Sequence, residues 1–185
     1  MNVALRIPAS LDEFLAWEER QELRYEFDGV RAIAMVGGTV AHSRIASNIE
    51  RALEGRLRPG CVILRGDLKL RLARSIRYPD VMVVCTKLRD GLTCVTNPTV
   101  VFEVLSHGTS HTDRLVKSQE YREAASIARY VIVEQTGIGA TVFDRPDWRG
   151  LPVTGADTVL ALPEIGVTLR LGECYAGLDI GADAT

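Results

Sequence analysis

No stretch of this sequence is long and apolar enough to cross a membrane. Its longest clean apolar runs reach about half a dozen residues, against the roughly 20 that a spanning helix needs. Residues 1–10 carry one arginine and no apolar core of signal-peptide length, so a soluble, cytoplasmic chain with no membrane partner is expected. None of the four cysteines, Cys61, Cys85, Cys94 and Cys174, forms a CxxC pair. A zinc ribbon and a disulfide framework are therefore not expected. Buried, reduced thiols fit a cytoplasmic chain better. An excess of one charge is also missing: 22 basic residues face 24 acidic ones, for a net charge of −2. Any contact with nucleic acid must then come from a local basic patch. Internal repeats, low-complexity tracts and linkers are absent as well.

What remains is ordinary globular material. The 185 residues are 46% hydrophobic and 25% charged, which suits a single domain with a real core. Ser10-Leu11-Asp12-Glu13 has the form of a capping box and predicts a short helix to about Arg20. Tyr25–Phe27 alternates and meets Asp28-Gly29, a hairpin turn, with a return strand over Val30–Val36. Ile45, Ile49, Leu53 and Leu57 mark one face of a helix that Pro59-Gly60 ends. Strands are predicted at Cys61–Leu64, Leu68–Leu72, Val81–Cys85 and Val100–Leu105. A helix follows from about Thr112 to Ser126, then a hairpin of Tyr130–Val133 with Ala140–Phe143. Past these, one strand is expected near Val167–Leu171. The unbroken apolar strands call for a sheet buried on both faces. The fold class is α/β or α+β, a mixed sheet flanked by helices.

Two acids stand out against this background. Asp80 follows Pro79 at the entry to Val81–Val84, where a residue without an N–H suits a strand start. Glu103 lies inside the apolar run 100–105, where an unpaired carboxylate would cost several kcal/mol. It must therefore have a partner: a metal, a lysine or an arginine. Two carboxylates on neighbouring strands, completed by water, suit Mg²⁺. Asp113, Lys117 and Tyr121 recur every four residues on the helix that follows, so Lys117 lies at the end of a buried stripe. His107 and His111 have ligand spacing but sit beside Gly108 among Ser and Thr, which points to a solvated loop.

These residues resemble the Uma-two family of restriction-endonuclease-like proteins in the PD-(D/E)XK nuclease superfamily. The likeness is carried by Tyr25-Glu26-Phe27-Asp28-Gly29, His42 with Ile45 and Asn48, Tyr78-Pro79-Asp80, Phe102–Ser106, Asp113–Tyr121 and Tyr130–Val133, in that order. It implies a restriction-endonuclease-like core over about 11–143 with a C-terminal extension over about 144–185, in one domain spanning 1–185. It also implies a metal-dependent endonuclease that hydrolyses DNA phosphodiester bonds. Mg²⁺ or Mn²⁺ would be held by Asp80, Glu103 and the Val104 carbonyl, and Lys117 and Glu26 would complete the site. Glu26 is a candidate for a second ion or the attacking water. His42, Ser106, Asp113 and Tyr121 are accessory candidates. The superfamily lysine stands two residues after the acid, and that position is Leu105 here. The family pattern moves the lysine to Lys117. The resemblance, an apolar C-terminal third and the need to cut two strands together imply a homodimer.

The stretch 51–77 holds eight basic residues against two acids. Arg65, Lys69, Arg71, Arg74 and Arg77 are the candidate nucleic-acid contacts. The competing reading keeps the nuclease fold as a non-catalytic module that binds nucleic acid or protein, with Asp80, Glu103 and Lys117 as a structural ion cluster.

Overall fold

The computed structural model describes Pro8 and residues 10–35, 37–105 and 111–180. Its first helix, α1 (Leu11–Glu18), starts where Ser10 Oγ accepts the Glu13 N–H at 3.2 Å. Strands β1 (Tyr25–Phe27) and β2 (Ala32–Ala34) then form the expected hairpin. The return strand is shorter than predicted. Asp28 Oδ1 takes the amides of Val30 (2.8 Å) and Arg31 (2.7 Å), so that segment closes the turn instead of joining the ladder.

Helix α2 (Val40–Leu53) buries Ile45, Ile49 and Leu53 completely, each adding on the order of 1.5–3 kcal/mol. Then come β3 (Val62–Arg65), β4 (Lys69–Arg71), β5 (Ile76–Arg77), β6 (Val81–Val84), β7 (Cys94–Val95) and β8 (Val100–Val104). Helix α3 (His111–Glu123) leads to β9 (Arg129–Val133), β10 (Gly139–Asp144), β11 (Leu151–Thr154), β12 (Val159–Leu162) and β13 (Val167–Arg170).

The predicted single sheet is divided. One sheet has the order β2-β1-β5-β4-β7, the other β11-β10-β9-β8-β6-β3, and β12 with β13 forms a separate hairpin. Parallel pairs (β8 with β9, β4 with β7) join otherwise antiparallel ladders, so the fold is α+β with mixed sheets flanked by helices.

The larger sheet is covered on both faces. On one, Val81, Val83, Val100, Phe102, Val131 and Val133 pack with α2, with Leu160, Leu162 and Leu169 of the C-terminal hairpin and with Leu171 just after it. On the other, Met82, Val101, Tyr130 and Ile132 meet Leu70, Leu72, Tyr121 and Trp148. The apolar C-terminal residues are thus largely consumed inside the chain. Three strands stand where the sequence reading expected one. β11 escaped it because Pro152 reads as a break, yet proline is tolerated on this edge strand.

The cysteine expectation is corrected. Cys61 and Cys85 form a disulfide, while Cys94 and Cys174 are free. The β3–β6 register pairs Val62 with Val84, so its next step sets residues 61 and 85 opposite each other. Spacing along the chain does not reveal that pairing.

Candidate active site

The chain leaves the smaller sheet at Arg77 and enters the larger one at Val81. Tyr78, Pro79 and Asp80 span the junction, and the site forms there. In the β6–β8 ladder Val81 faces Phe102 and Met82 faces Val101. One further step brings Asp80 opposite Glu103. Residues opposite one another across a ladder share a face, with Cβ atoms about 4.5–5.5 Å apart. Asp80 then meets His42 of α2, and Glu103 meets Lys117 and Tyr121 of α3.

Asp80 Oδ2 accepts the Val104 N–H at 2.7 Å and lies 3.2 Å from His42 Nε2. That hydrogen bond is the main cause of a raised His42 pKa, and burial opposes it. The charges of Asp80 and Glu103 and a hydrogen bond to the Val104 backbone add to the rise. His42 is presented by the first turn of α2. Thr39 Oγ1 accepts the His42 N–H at 3.0 Å and donates to Gln135 Oε1 at 2.5 Å, and Gln135 Nε2 in turn donates to the Leu105 carbonyl.

Glu103 is held from α3. Tyr121 donates its hydroxyl at 2.8 Å, and Lys117 Nζ lies 3.4 Å from both carboxylate oxygens. Burial pushes the Glu103 pKa up to about 7 against the pull of Lys117, with the charges of Asp80 and Glu26 adding to the rise. Tyr121 is fully buried, and burial together with the Glu103 charge raises its own pKa.

Lys117 also meets Glu26 Oε1 at 3.2 Å, and the Tyr78 N–H reaches the same oxygen at 3.3 Å. Glu26 Oε2 accepts from Arg77 Nη1 at 3.0 Å. Burial would raise the Glu26 pKa, but Lys117, Arg77 and the Tyr78 amide outweigh it and hold it below the usual value. The other Arg77 nitrogens are taken by Glu120 at 2.7 and 2.8 Å.

Asp80, Glu103, Lys117, Glu26, His42 and Tyr121 therefore come together. Ser106 lies outside the described residues, as does His107. Asp113 sits in the first turn of α3, as does His111, whose place was expected to be a loop; the side chains of residues 111–113 lie outside the description. The basic candidates scatter. Arg77 is 1% exposed and locked between two carboxylates, so it leaves the list of nucleic-acid contacts. Lys69 is half-buried against Glu18 at 2.9 Å. Arg71 pairs with Asp12 at 3.0 Å, and Arg74 is exposed. Arg65 pairs with Glu50 at 2.6 Å on the rim of a cleft of about 490 Å³. Asp80, His42, Thr39, Ser43 and Ser47 line that cleft too.

Sequence reasoning missed Thr39, Glu120 and Gln135, and it misassigned Arg77. The only signal for Thr39 is a cap residue before a helical pattern. For Gln135 it is a polar residue closing an apolar strand.

The donor set suits a hard divalent ion. Asp80 and Glu103 are near enough for the Asp80 charge to raise the Glu103 pKa, a rise that a cation would relieve, while such an ion keeps most of its water. Among the described residues, no group of three or more His, Cys, Asp or Glu side chains is placed to hold a metal ion.

A sequence model whose description reads "Putative restriction endonuclease" matches residues 11–172. The chain belongs to this family, Uma2. Two uncharacterized proteins of Synechocystis sp. are relatives. One, slr1290, is 32% identical over 176 residues, covering 91% of this chain and 92% of its own length. The other, sll1609, is 30% identical over 129 residues, covering 66% of this chain and 73% of its own length. A crystal structure described as a putative nuclease belonging to DUF820, from Anabaena variabilis, superposes with a TM-score of 0.77. It is 17% identical and covers 91% of this chain and 98% of that one. At that identity the likeness speaks for the fold, which is the nuclease-like one expected of Uma2. No helix among the described residues is long and apolar enough to cross a membrane.

Proposed function

We propose that this Uma2 protein is a metal-dependent endonuclease that hydrolyses DNA phosphodiester bonds. The observation that carries the reading is the juxtaposition of Asp80 and Glu103 across one ladder, with Lys117 reaching Glu103 from α3. Mg²⁺ or Mn²⁺ held by Asp80, Glu103 and the Val104 carbonyl would polarise the scissile phosphate and lower the pKa of a bound water.

The chain's own residues do the rest. Lys117 sets an ammonium beside Glu103 and Glu26 and offsets charge that grows on the phosphate in the transition state. Its position at 117 replaces the superfamily lysine, because Leu105 is packed in the core with Tyr121 and Tyr130. His42 and the Val104 amide fix one oxygen of Asp80, and Tyr121 fixes Glu103. Such supporting hydrogen bonds orient ligands and tune their basicity. Arg65, Arg71 and Arg74 are exposed or half-exposed and supply the phosphate contacts. A two-fold homodimer would offer one site to each strand of a duplex.

The test is a cleavage assay on plasmid, linear duplex and single-stranded DNA, with Mg²⁺ or Mn²⁺ and with chelator. Ion-dependent cleavage that disappears in Asp80→Ala supports the proposal. DNA binding without cleavage under every condition would favour the non-catalytic module.

A further inference from the structure

Helix α2 carries a polar flank past Asp80. Thr39, its cap, is followed by Ser43 and Ser47 at four-residue steps, about 6 Å apart along the helix axis. All three line the cleft of about 490 Å³ that Asp80 and His42 also line. We propose that this cleft is the track of one nucleic-acid strand, that Arg65, Ser43 and Ser47 hold its phosphates, and that it reads no base. This inference rests on the metal-nuclease reading above and names the contacts that lead the strand to that site.

The far side of the cleft from α2 is the end of β3. Arg65 pairs with Val81 in the β3–β6 ladder, so its backbone stands one residue from the level of Asp80. Gly66 follows, and a Cβ there would sit 3.7 Å from the Asp80 Cα, so this bare backbone lies directly beside the acid. A strand in the cleft therefore passes the presumed ion ligand.

The lining suits a sugar-phosphate backbone. The Arg65 side chain is 67% exposed, and its Nε and Nη2 both lie 2.6 Å from Glu50 Oε1. Solvent-exposed ion pairs of this kind contribute little, and a guanidinium has five N–H donors, so a phosphate oxygen can share or take it. Ser43 and Ser47 are exposed, and serine hydroxyls are regular partners of phosphate oxygens. Among the described residues the lining holds no Phe, Tyr or Trp, and Val81 is its only large apolar side chain. Small-molecule pockets are lined mainly by apolar and aromatic groups, and strands gripped through their bases stack on rings. A groove of hydroxyls, glycines and one arginine offers neither and holds the strand by its backbone.

The test is fluorescence anisotropy of the full-length chain with labelled 20-base-pair duplexes of two unrelated sequences, in chelator and over a series of salt concentrations. Circular dichroism of each variant confirms folding. Arg65→Ala should weaken both sequences alike and lower the slope of log affinity against log salt by about 0.9, the release tied to one duplex phosphate contact. Arg170→Ala is the matched control: Arg170 is exposed, pairs with Asp157 at 3.0 Å and does not line the cleft, so its loss should leave the slope unchanged. Ser47→Asp, which sets a negative charge in the track, should weaken binding about as much as Arg65→Ala, while Ser47→Asn keeps it. Arg65→Ala no weaker than Arg170→Ala, Ser47→Asp equal to wild type, or a loss confined to one sequence would each overturn the inference. These variants are read without metal, so ion-dependent cleavage that disappears in Asp80→Ala would leave the nuclease reading standing in any of those cases.

Discussion

Glu103 is a buried acid whose folded pKa lies above its ordinary value, at about 7. The folded state therefore holds a proton that the unfolded chain releases, and stability falls as pH rises between the ordinary carboxylate range and about 7. His42 acts in the same direction, because its raised pKa favours the folded form until pH passes that value. Glu26 acts the other way: its depressed pKa contributes stability that is lost only as pH drops below the carboxylate range. Thermal unfolding of the metal-free protein from about pH 5 to 8 should show a declining midpoint. Glu103 contributes a slope of up to about 1 kcal/mol per pH unit. Glu103→Gln should flatten that slope, and an unchanged slope would show that Glu103 is ionised throughout. At this scale the sequence was partly legible. An acid in an apolar strand announces a buried partner, and Glu103 proves to have Lys117 and Tyr121. Arg77 was illegible, since an arginine in a basic run looks solvent-facing until the fold encloses it between Glu26 and Glu120.

The elements that bring these residues together differ in how plainly the sequence announces them. α2 was legible from its four-residue apolar repeat, β6 from its unbroken apolar run and β8 from an apolar run that only Glu103 interrupts. β5 and β7 were not, because two-residue strands carry no periodicity. The first turn of α2 joins the fold to the site. Thr39 caps the helix, and its hydroxyl also ties Gln135, and through it Leu105, to the end that presents His42. Thr39→Ala should cost about 1 kcal/mol in denaturant unfolding, the usual loss for an N-cap. It should also loosen His42, visible in NMR titration as an imidazole pKa raised less above its ordinary value. Full retention of both would mean that Gln135 and Asp80 hold the turn without the cap.

For the whole molecule, the C-terminal third belongs to the structure that supports the site. Leu160, Leu162, Ile165, Leu169 and Leu171 pack with Ile45, Ile49 and Leu53 of α2, and Asn48 donates to the Cys174 and Ala176 carbonyls at 3.1 and 3.0 Å. A chain truncated after Asp157 loses β12 and β13 and uncovers the outer face of α2. It should lose its cooperative thermal transition, which calorimetry would register; a truncated chain that unfolds sharply would show that this hairpin is dispensable. The sequence reading foresaw a mixed α+β fold and an apolar C-terminal third. It could not foresee that this third turns inward, because the packing of β12 and β13 on α2, more than a hundred residues away in sequence, is a long-range event.

We propose that Asp80 and Glu103 hold the ion while Lys117 serves the chemistry. The most direct measurement compares wild type, Asp80→Ala and Lys117→Ala in parallel for Mn²⁺ binding and for ion-dependent DNA cleavage. The expected result is a split. Asp80→Ala loses both, and Lys117→Ala still binds the ion but cleaves at least about a hundredfold more slowly, the scale of losing one positioned charge. Leu105→Lys added to Lys117→Ala should recover part of that rate, because residues 103 and 105 share a face. Cleavage by Lys117→Ala at the wild-type rate would contradict the account and leave Lys117 as a structural counter-ion.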